Sequence, residues 1–352
     1  MEKNFYLEDI LSQGVELRAS LSFNRSDRMM EQFRILSKKG IKKVIFSGMG
    51  SSHYCAYGAD IRLKRHGINS QIISTGELIY YEKGCIDHGT VLCLISQSGE
   101  SAETKRLLDL IDPDIFVIAV TNQKDSTLAK RGNLTFMLNV SDEISVTTRT
   151  YVSSLVLAEM IAAAVCKEDV CRIAEKYEEA IRGMSQYLQY YEEESIRMQE
   201  FCKEIQEISL IGRGNALSTV RAGSLFFREV SKFPALDFDS AEFRHGPMEM
   251  VQDGFYAMIF APSGETRDLE IKMAQDISIK GGKVLLVTDT ADMNKEIMDD
   301  KNILTVILDK TEEYASQILQ IVPVQLLANA IAEVRGFQPG VFRWGSKVMT
   351  EE

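Results

Sequence analysis

The feature that most constrains this chain is that it repeats itself. Val44-Ile45-Phe46-Ser47-Gly48-Met49-Gly50 aligns with Ile208-Ser209-Leu210-Ile211-Gly212-Arg213-Gly214, which puts Gly48 and Gly212 164 positions apart. Ser98-Gly99-Glu100 aligns with Ser263-Gly264-Glu265 at 165, and the apolar run Ile115 to Thr121 with Lys283 to Thr288 at 167. The order of landmarks is the same in both halves, and chance is a poor explanation for that. In each repeat, short β-branched apolar runs alternate with longer stretches at helical period. Such a pattern builds parallel strands joined by right-handed crossovers, with helices on both sheet faces. The expected fold class is therefore α/β: two tandem three-layer αβα sandwiches, each around a parallel sheet.

The rest of the chain falls around these repeats. Residues 1–24 read as a helical segment, 25–167 as the first α/β domain and 207–336 as the second. Between them, 168–206 lacks β-branched runs and carries Ile181, Met184 and Leu188 at helical spacing, which predicts a helical connector. The tail, 337–352, has Pro339, Gly340 and Gly345 with no period and is not expected to be core.

Charge narrows the partners. A net charge of -11 with pI ≈ 5.1 repels nucleic-acid phosphates, and no basic run makes a local exception, so no nucleic-acid partner is expected. A small anion remains possible, because phosphate sites are built from backbone N–H groups and hydroxyls. The six cysteines, Cys55, Cys85, Cys93, Cys166, Cys171 and Cys202, form no C-x-x-C pair and read as buried thiols. The mixed, acidic start from Met1 to Asp9 is unlike a secretory leader, which suggests the cytoplasm. Leu155 to Cys166 reads as the longest greasy stretch, short of the roughly 20 residues that span a bilayer; no membrane is expected.

Two strand-to-helix junctions could hold an anion. Ser96-Gln97-Ser98-Gly99-Glu100-Ser101 follows a buried strand and precedes the helical Ala102 to Leu108, so hydroxyls crowd a helix start with free N–H groups. The competing reading is an ordinary Ser N-cap. Gly48-Met49-Gly50-Ser51-Ser52 resembles half of a dinucleotide fingerprint, but it lacks the third glycine and the acidic ribose partner. A nicotinamide cofactor is disfavoured, and a second wall of a sugar-phosphate pocket fits better.

The stretch from Leu217 to Phe233 predicts one helix, with Arg221, Ser224, Arg228 and Lys232 on a polar face and Ala222, Phe226, Val230 and Phe233 on an apolar stripe. Glu229 belongs to the apolar side, where desolvation would raise its pKa and suit a proton shuttle. The alternative is a structural carboxylate paired with Arg213 or Arg244. His245 precedes Gly246-Pro247 and so sits in a loop, able to face a pocket or simply water. His53, His66, His88 and His245 show no ligand spacing, and no metal or prosthetic group is expected.

Over about residues 25 to 352 the chain resembles the tandem SIS-domain (sugar isomerase) family, which includes the isomerase half of glucosamine-6-phosphate synthase and the fructosamine-phosphate deglycases. The residues that carry the likeness are Ser96-Gln97-Ser98-Gly99-Glu100, Gly212-Arg213-Gly214, Glu242-Phe243-Arg244-His245-Gly246-Pro247 and Val322-Pro323-Val324-Gln325-Leu326-Leu327-Ala328. The resemblance implies flavodoxin-like sandwiches and no cofactor. It implies that Ser96, Gln97, Ser98 and Ser101 hold a phosphate, and that Gly50, Ser51, Ser52 and Val146 line the sugar pocket. Glu229 falls on the family's base and His245 on a ring-opening histidine given across a homodimer interface. Ser346 and Lys347 fall in a tail that closes over the sugar, with Lys347 as a catalytic lysine.

Two departures shape the expected reaction. The chain has no cysteine before Cys55 for a glutaminase, and Phe226 stands where the synthases carry a lysine. The expected substrate is a phosphorylated ketose or its amine adduct, and the favoured reaction is deglycation of a 6-phosphofructosyl amine. Alternatives are a sugar-phosphate sensor without turnover and an ammonia-dependent glucosamine-6-phosphate-forming isomerase.

Overall fold

A computed structural model of the chain describes residues 3–290 and 293–349. The first half runs α1 (Phe5–Asn24), α2 (Asp27–Lys38), β1 (Lys43–Gly48), α3 (Ser51–Tyr54), α4 (Tyr57–Arg65), β2 (Asn69–Ser74), α5 (Thr75–Tyr80), β3 (Thr90–Ile95), α6 (Ala102–Leu110), β4 (Phe116–Thr121), α7 (Thr127–Arg131), β5 (Leu134–Met137) and α8 (Arg149–Val165). The second runs α9 (Val170–Tyr187), α10 (Tyr191–Phe201), β6 (Ile208–Gly212), α11 (Leu217–Val230), β7 (Ala235–Asp239), α12 (Ser240–Phe243), β8 (Tyr256–Ala261), α13 (Arg267–Ile279), β9 (Lys283–Thr288), α14 (Lys295–Met298), β10 (Ile303–Ile307) and α15 (Gln317–Val334).

The two sheets have the same winding. The first is ordered β2-β1-β3-β4-β5 and the second, read from the other edge, β7-β6-β8-β9-β10, with all pairs parallel. This is the flavodoxin order 2-1-3-4-5. Each repeat is thus an α/β sandwich, and the apolar runs that match across the repeats are its central strands. All six residues of β3 and of β8 are buried, as strands covered on both faces require. In the first sheet Ile45, Leu92, Leu94, Val117 and Ala119 pack with Leu78, Leu107 and Leu128 from the helices. In the second, Ile211, Ile259, Ala261 and Leu286 pack with Phe243, Met273 and Ile277. Each such Leu or Ile contributes about 1.5–3 kcal/mol by burial.

The chain divides into two compact units whose edges cut through helices. One comprises Val15–Glu178 with the segment from Phe342 onward; the other comprises Glu179–Val341 with the segment up to Gly14. Within the first, Ser20 shares a hydrogen bond with Ser153 (2.7 Å) and Asn24 donates to the Met137 carbonyl (2.9 Å). Within the second, Gln13 donates to Gln325 (2.8 Å).

Four expectations need correction. The helix begun at Leu217 stops at Val230, and Lys232 has φ 52, so the chain turns before Phe233. Ser224, placed on the polar face, is fully buried and donates to the Ala235 carbonyl (3.1 Å). Not all cysteines are buried: Cys55, Cys93 and Cys202 are, Cys85 and Cys166 are half-buried, and Cys171 is exposed. The longest apolar segment is also not Leu155 to Cys166. Glu313–Val334, which contains α15, is long and apolar enough to cross a membrane, yet its apolar window is 100% buried. Its hydrophobicity serves a core.

Candidate active site

In the first unit the sheet reverses its winding between β1 and β3, so a crevice opens beyond their carboxyl ends. β1 and β3 pair in register up to Ser47 and Leu94. Gly48 lies against the end of β3, because a Cβ there would stand 2.8 Å from the Ile95 carbonyl and 2.9 Å from Ser52. The missing side chain therefore lets the Gly50-Ser51-Ser52 turn approach the strand that delivers Ser96. Gly50 has φ 53, a left-handed conformation suited to glycine, and Ser51 and Ser52 are half-buried.

The serine loop is built on Gly99. Its φ is 62, and a Cβ would meet Ser126 Oγ at 2.3 Å and Thr121 Oγ1 at 3.1 Å. Gly99 donates its N–H to Ser96 Oγ (3.1 Å), and Glu100 donates its N–H to Ser98 Oγ (3.2 Å). Each of those hydroxyls accepts from the backbone and keeps its own proton to donate. Thr121 Oγ1 and the Asn122 N–H donate to the Gln97 carbonyl (3.2 and 3.0 Å), tying the loop to β4. Ser101 is the N-cap residue of α6 but makes no side-chain cap; its hydroxyl instead shares a hydrogen bond with Thr104 (2.7 Å). The ordinary N-cap reading is thus not what the loop does. Gly99→Ala is expected to lower stability by about 2–4 kcal/mol, from left-handed strain plus overpacking. Thermal melts of the variant check this.

Gln97, Ser98, Glu100, Gln123, Asp125, Ser126, Asp142, Glu143, Lys347 and Val348 line a cleft of about 540 Å³. Lys347 Nζ donates to the Glu143 carbonyl (2.6 Å) and the Ser145 carbonyl (3.0 Å), and lies 3.2 Å from Glu143 Oε2. The Glu143 carboxylate, with no exposure, also accepts from the N–H groups of Thr148 (2.9 Å) and Thr150 (3.0 Å) and from both threonine hydroxyls (3.1 and 2.7 Å). It therefore fixes both the start of α8 and the loop holding buried Val146. The tail is held again where the Ala102 N–H, at the start of α6, donates to the Met349 carbonyl (3.1 Å). Ser346 is exposed and donates to the Val348 carbonyl (2.6 Å). Glu100 accepts from the Thr127 N–H (2.5 Å) and pairs with Lys105 (2.9 Å), which together bring its carboxyl down to about 2. Against the acids around this cleft, Lys347 is its lining cation, so an anion must be gripped by N–H and O–H groups.

In the second unit, the equivalent serine loop is already filled. Ser263 donates its N–H to both Asp289 oxygens (3.0 Å each) and its hydroxyl to Oδ1 (2.8 Å). A carboxylate of the chain stands where a ligand anion would go. The equivalent residue in the first repeat is Asn122, which carries no charge. Aligning the repeats would have exposed this asymmetry; Glu143 left no comparable signal.

Also in the second unit, α11 buries Ala222, Phe226 and Val230, with Phe233 beyond its end. Glu229 shares that side and is half-buried. Burial pushes its carboxyl up to about 7, against the lowering effect of Lys232 and Arg228. The competing salt bridge is not formed: Arg213 pairs with Glu270 (2.6 Å) and Arg244 with Asp276 (2.7 Å). A carboxyl raised in the fold gives stability that is complete below its unfolded pKa of 4.5 and lost as pH rises through about 7. Glu229→Gln has no such loss. It is expected to match the parent near pH 4 and to exceed it by roughly 2–3 kcal/mol at pH 8; denaturant unfolding at the two pH values checks this.

His245 sits in the turn after α12, where its N–H donates to the Glu242 carbonyl (2.8 Å). Its side chain is exposed, and its ring makes no hydrogen bond or ion pair among the described residues.

The fold and its motifs define the class. The SIS domain matches residues 36–164 and 202–332, and the chain belongs to the SIS-domain family. It is similar to the isomerizing glutamine–fructose-6-phosphate aminotransferase of Thermococcus kodakarensis, 26% identical over 363 residues, covering 99% of this chain and 58% of that enzyme. The same enzyme of Pyrococcus horikoshii is 26% identical over 360 residues, with the same coverage. The chain thus spans a little over half the length of these relatives. Among solved structures it resembles the C-terminal domain of glucosamine-fructose-6-phosphate aminotransferase from Francisella tularensis, with TM-score 0.84, 22% identity and coverage of 95% and 96%. It also resembles tagatose-6-phosphate ketose/aldose isomerase from Escherichia coli, with TM-score 0.77, 17% identity and 97% coverage of each chain.

Proposed function

We propose that this chain is a cytoplasmic phosphosugar isomerase or deglycase, acting on a ketose 6-phosphate or its amine adduct by proton transfer between C1 and C2. The observation that carries the reading is Glu229: a half-buried carboxyl that pairs with neither Arg213 nor Arg244 and that burial pushes up to about 7. That is the condition for a group that must both take and return a proton. The serine loop supplies the phosphate grip, with Ser96 and Ser98 donating hydroxyl protons, and Gly50, Ser51, Ser52 and Val146 lining the sugar. Binding energy from the non-reacting phosphate then positions the carbons. His245 opens the ring. Its exposure, and a ring without a hydrogen bond or ion pair among the described residues, support a role in a second subunit's site, hence a homodimer.

For the specific reaction, Phe226 is the discriminating residue. It is fully buried and carries no amine where the synthases have a lysine, which disfavours amination. The favoured reaction is hydrolysis of a 6-phosphofructosyl amine: water enters, the C–N bond breaks, and glucose 6-phosphate and free amine leave. Lys347, a primary amine at the cleft, assists at the carbonyl carbon.

A mass-spectrometric screen of phosphorylated Amadori compounds and hexose phosphates, with amine and sugar products both quantified, tests this. Stoichiometric release of amine and glucose 6-phosphate is expected. Binding of hexose 6-phosphates without exchange of the C2 proton for solvent deuterium would instead identify a sensor. Formation of glucosamine 6-phosphate from fructose 6-phosphate and ammonium would overturn the deglycase assignment.

A further inference from the structure

We propose that His66, Cys166 and Glu168 form a binding site for one divalent cation of the zinc type, at the amino end of β2, whereas the serine loop lies at the carboxyl end of β3. α4 runs back from the carboxyl end of β1, so His66, just beyond it, lies where β2 begins. α8 packs against α4, and the turn that closes α8 carries the other two ligands. His66 stands 100 positions before Cys166 and 102 before Glu168, so only the fold brings it to them.

The backbone fixes two of the three. Lys167 has φ 62, its N–H donates to the Ala164 carbonyl (3.0 Å), and the Glu168 N–H donates to the Ala163 carbonyl (2.9 Å). This is a Schellman closure with lysine at the left-handed position usually given to glycine. It holds Cys166 and Glu168 on either side of the turn. The ligand atoms of His66, Cys166 and Glu168 all lie within 4.8 Å of one another. A tetrahedral zinc with Zn–N near 2.0 Å and Zn–S near 2.3 Å spaces its ligands roughly 3–4 Å apart. Small side-chain rotations close that gap.

The ring orientation suits a cation. His66 Nδ1 is 2.9 Å from the Arg62 carbonyl, which can only accept, so Nδ1 carries the hydrogen. In the neutral ring Nε2 then has a lone pair, and it faces Glu168 Oε1 at 3.2 Å. Glu168 Oε1 is itself shut off from solvent and accepts no hydrogen bond among the described residues. Imidazole anchored through Nδ1–H to a backbone carbonyl, with Nε2 turned to the site, is how histidines are oriented for metals. Glu168 Oε2 is meanwhile held by Arg62 (2.7 Å), which orients the carboxylate for a single Oε1 bond.

Charge gives the valence. Arg62 is flanked by two carboxylates, Glu168 and the fully buried Glu159 (2.7 Å), leaving one negative charge in excess. Losing the Cys166 proton makes that two, which a divalent ion balances. Nitrogen, sulfur and oxygen donors together favour zinc, and the partly exposed His66 side leaves a fourth position for water.

The test uses the full chain, cobalt(II) as a spectroscopic probe and zinc as its competitor. One cobalt per chain with a thiolate-to-cobalt charge-transfer band, displaced by zinc, is the expected result. Zinc should raise the melting temperature of the parent but not of His66→Gln or Cys166→Ser, and each substitution should weaken zinc binding by about tenfold or more. His66 lies at the surface, so His66→Gln keeps the test sound should Cys166→Ser fold poorly. Cobalt binding without a thiolate band, or zinc binding unchanged in His66→Gln, would overturn the site. It would reduce the cluster to an imidazolium–carboxylate pair.

Discussion

Glu229→Gln is expected to lower turnover by about 10²–10⁴-fold, the contribution of one positioned proton-transfer group, while hexose 6-phosphate binding changes by no more than a few fold. The amide keeps the shape of the carboxyl but cannot take a proton. Phosphate binding is assigned to a loop built by Ser96, Ser98 and Gly99, which the substitution leaves alone. The same variant should be more stable than the parent at pH 8, because the parent must ionise a half-buried carboxyl whose pKa burial raises to about 7. Lower activity with higher stability is the signature of a group kept in a costly place for chemistry. Calorimetric binding, turnover and unfolding on one preparation separate the effects. A variant with parental turnover removes Glu229 from the mechanism, whatever its stability.

Glu143→Ala is expected to destabilise the chain by about 3–5 kcal/mol, the cost of breaking a buried charge pair from one side. Its carboxylate has no exposure and accepts from two N–H groups, two hydroxyls and the Lys347 ammonium. All five donors would lose that acceptor together, since alanine offers none. For a domain of this size the melting temperature falls on the order of 10 °C. The tail should loosen as well, because Lys347 loses its carboxylate partner and keeps only the backbone carbonyls of residues 143 and 145. Trp344, the single tryptophan, is 96% exposed in that tail and reports its motion by fluorescence anisotropy. Unchanged melting and unchanged anisotropy would show that Glu143 neither braces α8 nor holds the tail.

How far the sequence led can be judged strand by strand. β1, β3 and β4, and β6, β8 and β9, stood out as apolar runs because they are central and covered on both faces. The edge strands β2, β5, β7 and β10 did not. Each is flanked on one side only and mixes buried with half-buried or exposed positions, as in Asn69–Ser74 and Ala235–Asp239, so no continuous run marks it. The pKa shift of Glu229 was legible because it needs only helical spacing. The early end of α11 was not, since Lys232 in a left-handed conformation carries no local mark in the sequence.

The sequence by itself determined the doubled α/β architecture, the serine loop between strand and helix, and the inward side of Glu229, because periodicity and turn chemistry act over a few residues. The tertiary structure alone decided that Glu143 grips Lys347, that Asp289 fills the second serine loop, and that His66 meets Cys166 and Glu168. Each of those joins residues from different elements, and a hydrogen bond or ligand set formed across a fold depends on distances that local sequence does not encode.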